Sequence, residues 1–136
     1  MPIYLTTVRE GRSSEAQRSQ MADGIIEHHC GITGAPRQFV NAFFSEQADP
    51  DAGFPELPDG KVAFLNATIR AGRTDEDKAK LISRIKQSFV DALGCSPDEV
   101  EIVTGEVDAS HCIEGGKILP VPGSPEEAAW KKANES

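Results

Sequence analysis

The chain has 136 residues and a formal net charge of −8, with no basic cluster that would offset the acidic field. This length fits a single domain with one core, and the acidic balance argues against a nucleic-acid or anionic-membrane partner. The start lacks the basic and apolar regions of a signal peptide and no run reaches transmembrane length, so we expect a cytoplasmic protein. The three cysteines have no CxxC spacing, which favours reduced thiols.

Proline at position 2 heads the first predicted strand, which runs from Ile3 to Val8. Proline is a small second residue that a methionine aminopeptidase tolerates, so we expect Met1 to be removed and Pro2 to carry a free secondary amine. Such an amine can act as a general acid or base. If Met1 is retained, the Pro2 nitrogen is a non-basic amide instead.

The first strand is followed by a predicted helix from Ser14 to Cys30 and a second strand from Gln38 to Ser45. The helix carries one apolar arc with His29 in its middle, so we expect His29 to face the sheet. A buried histidine with a satisfied hydrogen bond is the alternative to a catalytic role. His28, His29 and Cys30 predict no metal site, because consecutive helical residues point about 100° apart.

The same strand–helix–strand order recurs after a Pro- and Gly-containing crossing from Gln47 to Gly60. The second helix is clearly delimited, with Thr74 as a good N-cap and Gly94 as the stop signal. The predicted elements of this second copy are a strand from Val62 to Ile69, a helix from Asp75 to Leu93 and a strand from Val100 to Thr104.

The repeat predicts an α/β (α+β) fold of two tandem βαβ units, at about residues 2–46 and 61–107, that form a four-stranded mixed sheet with two helices on one face. The domain so defined spans residues 1–123, and residues 124–136 are predicted to be a tail with a short helix. Within that tail, a capping-box pattern runs from Ser124 to Glu127 and Trp130 is expected to be a docking residue. A further strand from Lys117 to Val121 has no place in the two units, and we expect it to pair with a neighbouring subunit's sheet edge.

This topology brings polar residues together at one end of the sheet. The first helix runs antiparallel to its strand, so His29 returns to the level of Pro2. If the first and third strands are antiparallel neighbours, Pro2 also lies beside Arg70 and Arg73 at the end of the third strand. Two guanidiniums next to a helix N-terminus predict a binding site for a carboxylate. The alternative is surface pairing of the arginines with the acids that follow them, Asp75, Glu76 and Asp77.

These residues resemble the tautomerase superfamily, whose members are built from two βαβ units and use an amino-terminal proline, and within it the cis-3-chloroacrylic acid dehalogenase group. The resemblance implies catalytic roles for Pro2, His29, Arg70, Arg73 and Glu114, with Arg70, Arg73 and His29 holding the carboxylate of a small substrate. It also implies a homotrimer that works without cofactor or metal. It is carried by Pro2-Ile3-Tyr4, His29 before Gly31, Arg70-Ala71-Gly72-Arg73, Gly105-Glu106, Glu114 and Leu119-Pro120-Val121-Pro122-Gly123.

Two positions depart from the pattern of that group. Val103 stands where the group has a tyrosine that pairs with the glutamate to activate water, and Gly115 stands where an aromatic residue is usual. The loss of a hydrogen-bonding partner weakens hydration, whereas tautomerisation requires only groups that are present. We therefore predict enol–keto tautomerisation of a small unsaturated or 2-oxo carboxylate. The alternatives are a cis-3-haloacrylate dehalogenase or hydratase, and a non-catalytic trimeric interaction protein.

Overall fold

A computed structural model describes residues 1–47, 57 and 60–135, so the predicted crossing from Gln47 to Gly60 lies mostly outside the described residues. None of the helices in these ranges is both long and apolar enough to cross a membrane. The elements follow the order β1 (Ile3–Arg9), α1 (Glu15–Thr33), β2 (Asn41–Gln47), β3 (Ala63–Arg70), α2 (Asp75–Leu93), β4 (Val100–Val107), β5 (Ile113–Glu114), β6 (Lys117–Ile118) and α3 (Pro125–Ala133).

The first four strands form one mixed sheet in the order β2-β1-β3-β4. The outer pairs β1/β2 and β3/β4 are parallel, and the central pair β1/β3 is antiparallel. Alternate residues of β1, such as Tyr4 and Val8, point to one face, where they join a single core with apolar side chains from α1 and α2. The predicted fold of two βαβ units around a four-stranded mixed sheet is confirmed.

The element boundaries differ from the predictions where a local signal opposes tertiary packing. The first helix continues through Gly31 and ends at Gly34, whose φ of 70° is the left-handed conformation that suits glycine. A glycine inside a helix costs about 1 kcal/mol, which packing of α1 on the sheet outweighs. The second strand begins at Asn41 because Arg37–Phe39 form a 3-10 turn, and β4 runs past Thr104 alongside the end of β3.

The segment after β4 forms a short hairpin within the chain. The strand predicted from Lys117 to Val121 is reduced to Lys117–Ile118, which pairs with β5 of the same chain. The two-residue connection Gly115-Gly116 has positive φ at both positions, as the tight hairpin turn requires. Strands of two residues carry no detectable periodicity, so sequence patterns missed this pairing.

The tail folds into α3, which lies across the C-terminal end of α1. The Ser124 side chain caps the helix by accepting a hydrogen bond from the Glu127 amide at 3.1 Å. The Trp130 ring stacks on Phe39, with centroids 5.1 Å apart, and Lys131 donates to the carbonyl of Thr33 at 2.7 Å. The tail is therefore docked beside the end of the sheet at which β1 begins.

Candidate active site

Pro2 lies where the start of β1 adjoins the end of β3. The register sets Ile3 opposite Thr68, so the residues before Ile3 run beside the last residues of β3. Pro2 is fully buried, and its carbonyl accepts hydrogen bonds from the backbone amide and the side-chain amide of Asn41, both at 3.2 Å. This is the antiparallel neighbourhood that the sequence predicts.

The ammonium group of Met1 contacts Glu114 at this end of the sheet. It donates to the Phe39 carbonyl at 3.1 Å and forms an ion pair with one oxygen of the Glu114 carboxylate. The other oxygen, Oε2, is buried and has no hydrogen-bond partner among the described residues. Glu114 is therefore adjacent to the amino terminus and keeps one oxygen free to accept a hydrogen bond.

His29 faces the sheet, as the apolar arc predicts. It is buried, and its Nδ1 lies 2.7 Å from the hydroxyl of Tyr4 on β1. Burial, followed by the charges of Arg73, the amino terminus and Arg70, lowers the pKa of His29 to about 3. Burial also raises the pKa of Tyr4, with Cys30 as a smaller cause. Both side chains are therefore uncharged at neutral pH, and a Tyr4 hydroxyl that donates to Nδ1 leaves the imidazole proton on Nε2.

Because His29 stays neutral in the folded protein, folding stability should fall as the pH is lowered. Below about 6.5, its ordinary pKa, the unfolded chain binds a proton at this residue that the folded chain does not bind until about pH 3. In that window, the free energy of unfolding should decrease by up to about 1.4 kcal/mol per pH unit. Urea unfolding across the window measures this slope. His29→Gln should flatten it, and an unchanged slope would assign the acid sensitivity to other groups.

Arg70 and Arg73 both reach this end of the sheet, but their partner is not one of the acids that follow them. Instead, Oε2 of Glu127 on α3 lies 2.7 Å from Arg70 and 3.5 Å from Arg73. Arg70 also donates to the carbonyl of Pro120, and its guanidinium lies 5.4 Å from the centre of the Trp130 ring. Arg73 lines a small cavity together with His29.

Sequence patterns missed two contacts of the site, that of Glu127 with the two arginines and that of Tyr4 with His29. Glu127 carries the signal of a capping-box residue, yet its carboxylate turns to the arginines, and its Oε1 accepts from Gly123 and Lys131 at 3.1 Å each. Burial alone raises the pKa of Glu127, but these hydrogen bonds and the charges of Arg73 and Arg70 lower it. Tyr4 occupies the helix-facing side of β1, and that alternation was the only available signal for its contact with His29.

The open space around these residues lies on the amino-terminal side. Glu114 borders two surface grooves of about 740 and 440 Å³, of which the first is lined by Phe39 and Trp130 and the second by Met1. A small cavity of about 10 Å³ lies between His29 and Arg73. Across the described ranges, no three His, Cys, Asp or Glu side chains are grouped so as to hold a metal ion.

Val103 lies outside this cluster. It is 49% exposed on the sheet face opposite the helices, in a row with Asn66, Leu5 and Phe43. His29 approaches the sheet from the other face. Val103 therefore does not face the site of its own chain, and a tyrosine at this position in the same subunit would not reach Glu114.

Comparison with known proteins gives the class of the protein. The family model described as "Putative oxalocrotonate tautomerase enzyme" matches residues 1–135. The chain is 36% identical over 55 residues to "Probable tautomerase bsl7456" of Bradyrhizobium diazoefficiens, an alignment that covers 40% of this chain and 82% of that protein.

Solved structures agree with this class. The structure of N1, a member of the cis-3-chloroacrylic acid dehalogenase family, is similar with a TM-score of 0.78 at 30% identity, covering 96% of each chain. A fused 4-OT protein solved as a symmetric trimer has a TM-score of 0.73 at 23% identity, covering 86% of this chain and 94% of that chain, which is a likeness of fold alone. The chain therefore belongs to the tautomerase superfamily, in its cis-3-chloroacrylic acid dehalogenase-like group, as the sequence motifs predict.

Proposed function

We propose that this protein is a cofactor-independent enzyme that uses the amine of Pro2 as general acid and base in the enol–keto tautomerisation of a small unsaturated or 2-oxo carboxylate. The observation that carries the proposal is the position of the amino terminus: Pro2 is buried beside the end of β3, and the ammonium of Met1 contacts Glu114. Membership of a superfamily of tautomerases supports the same reaction class.

The proposed mechanism begins with removal of Met1, which leaves the secondary amine of Pro2 as the amino terminus. The uncharged form of this amine is the one that a general base requires. The amine takes the proton of the enol hydroxyl and the resulting ammonium returns a proton to carbon. Arg73, with Arg70 behind it, holds the substrate carboxylate, and the Nε2–H of His29 donates to the same anion.

The second candidate reaction is the addition of water to a cis-3-haloacrylate. The position of Glu114 supports it, because a carboxylate that borders a groove can bind and activate water. The similarity to N1 of the cis-3-chloroacrylic acid dehalogenase family also supports it. Val103 weighs against it by the resemblance to the dehalogenase group, since no tyrosine at this position is available to complete the pair, and in the homotrimer it would have to come from a neighbouring subunit.

Parallel assays on protein freed of Met1 distinguish the two reactions. We expect ketonisation of phenylenolpyruvate to be faster than halide release from cis-3-chloroacrylate by at least about tenfold. The reason is that the tyrosine that helps to activate the attacking water in the dehalogenase group is replaced by Val103. Glu114→Gln should leave ketonisation within a few-fold of the wild type. Efficient halide release that is lost in Glu114→Gln would favour the dehalogenase instead.

We also propose that the enzyme is a homotrimer assembled through the open face of the sheet. Leu5 is 49% exposed and Phe43 is 55% exposed on this face, and Oε2 of Glu101 is buried without a hydrogen-bond partner among the described residues. Such an apolar row beside an unsatisfied carboxylate is typical of a surface that another subunit covers. Analytical sedimentation should show that the wild type is a trimer and that Leu5→Asp dissociates it. A monomeric wild type would contradict this proposal. It would also contradict the hypothesis of a trimeric interaction protein.

A further inference from the structure

The two arginines of the anion site are in unequal positions. The side chains of Arg70 and Glu127 are each only 3% exposed and lie 2.7 Å apart. The side chain of Arg73 is 15% exposed, and its contact with the same Glu127 oxygen is longer, at 3.5 Å. Arg73 also lines the small cavity beside His29, whereas Arg70 is covered by Pro120 and Trp130. The carboxylate of Glu127 thus pairs with Arg70, the more buried of the two arginines.

We propose that Glu127 is a positioning residue, which holds Arg70 inside the protein and leaves Arg73 as the cation that receives the substrate carboxylate. This inference rests on the proposed function in that it takes a carboxylate as the ligand. The two arginines, which the sequence presents as equivalent, then have different roles. Arg70 is a positioning residue and Arg73 is the anion-binding residue.

Glu127 is fixed too firmly for a substrate to replace it. Its Oε1 accepts hydrogen bonds from the Gly123 amide and from Lys131, and Lys131 in turn donates to the carbonyl of Thr33 on α1. Separating ions that are this deeply buried exposes each to a large desolvation penalty, so an incoming carboxylate is expected to bind beside Glu127 rather than in its place. The negative charge of Glu127 then weakens the site for every anion.

Binding of an unreactive acid tests the division between the arginines. Calorimetry with 3-phenylpropionate, compared with its neutral amide 3-phenylpropionamide, needs no turnover and is independent of the chemistry at Pro2. We expect Arg73→Gln to weaken binding of the acid at least about tenfold, as for a lost charge-assisted hydrogen bond, and Arg70→Gln to weaken it less than about fivefold, as for a lost neighbouring charge without a contact to the acid. Binding of the amide should not change. Equal losses in the two variants would overturn the inference.

Glu127→Gln supplies a test in the opposite direction. Removing the charge releases Arg70, so binding of the acid should strengthen at least about fivefold, and Arg70→Gln should then reduce affinity in this background. A merely structural role predicts weaker binding instead. The matched control is Glu126→Gln, which removes the same charge from the adjacent exposed position and should change affinity less than about twofold.

Each outcome decides the inference. Weaker or unchanged binding of the acid in Glu127→Gln overturns it, and so does a wild type that binds the acid no better than the amide. If Glu127→Gln does not fold, the comparison of Arg73→Gln with Arg70→Gln decides alone. Failure of the proposed function has a different signature, namely absent enol turnover with binding of the acid and its dependence on Arg73 intact.

Discussion

Protein that retains Met1 should show no measurable enol turnover, and Pro2→Ala should lose at least about tenfold, or about 1.4 kcal/mol in the barrier. With Met1 present, the Pro2 nitrogen is an amide and has no basic lone pair. The terminal ammonium is then one residue further out and is held by Phe39 and Glu114. Pro2→Ala keeps an amine at the right place but changes its geometry and basicity.

Intact mass separates processed from unprocessed protein, and ketonisation of phenylenolpyruvate can be followed on each fraction of the same preparation. The two fractions differ in one residue, so each is the other's control. Acetylation of the processed amine should abolish turnover in the same way. Unchanged turnover in the fraction that retains Met1, or after acetylation, would contradict the proposed role of the Pro2 amine.

Processing also changes the environment of Glu114. Consecutive Cα atoms are about 3.8 Å apart, so removal of Met1 moves the terminal amine inward by roughly that distance. Glu114 then loses the ammonium that now occupies one of its oxygens. The carboxylate and the amine become available together at the groove, which is the condition for any role of Glu114 toward water or substrate.

The fold is predictable because it is encoded in short-range patterns. The second helix has the predicted bounds Asp75–Leu93, since the Thr74 cap and the Gly94 stop both agree with its apolar periodicity. The first helix is misjudged at Gly31, where local preference and tertiary packing disagree. Strand β4 is longer than predicted because its last residues are stabilised by pairing with β3, and such pairing leaves no periodic signal.

The site is only partly predictable, because its key contacts join distant parts of the chain. Topology alone brings His29 and the end of β3 toward Pro2. The pairing of Glu127 with Arg70, by contrast, depends on how α3 docks, and that docking depends on the stacking of Trp130 on Phe39. No spacing rule relates residues so far apart in the chain. The sequence therefore predicts the position of the arginines but not their pairing with Glu127.

The same ion pair gives the largest expected effect on stability. Glu127→Leu leaves the buried guanidinium of Arg70 with the Pro120 carbonyl and the Trp130 ring as its remaining contacts. Breaking a buried pair from one side typically costs about 3–5 kcal/mol, and we expect a loss of at least about 3 kcal/mol in the free energy of unfolding. Urea unfolding followed by the fluorescence of Trp130, the only tryptophan of the chain, measures it.

Arg70→Met should cost less than Glu127→Leu, because Glu127 keeps Arg73, Lys131 and the Gly123 amide as partners. The double variant Arg70→Met/Glu127→Leu should be more stable than Glu127→Leu alone. It leaves no unpaired guanidinium at position 70 and replaces two buried ions by apolar side chains.

Glu46→Leu is the matched control for this cycle. It breaks an ion pair with Arg18 that has nearly the same length, 2.8 Å, but lies at the surface, with the two side chains 27% and 41% exposed. We expect it to change the free energy of unfolding by less than about 1 kcal/mol. If Glu127→Leu costs no more than Glu46→Leu, or if the double variant is less stable than either single variant, then burial of the Arg70–Glu127 pair does not hold α3 against the site.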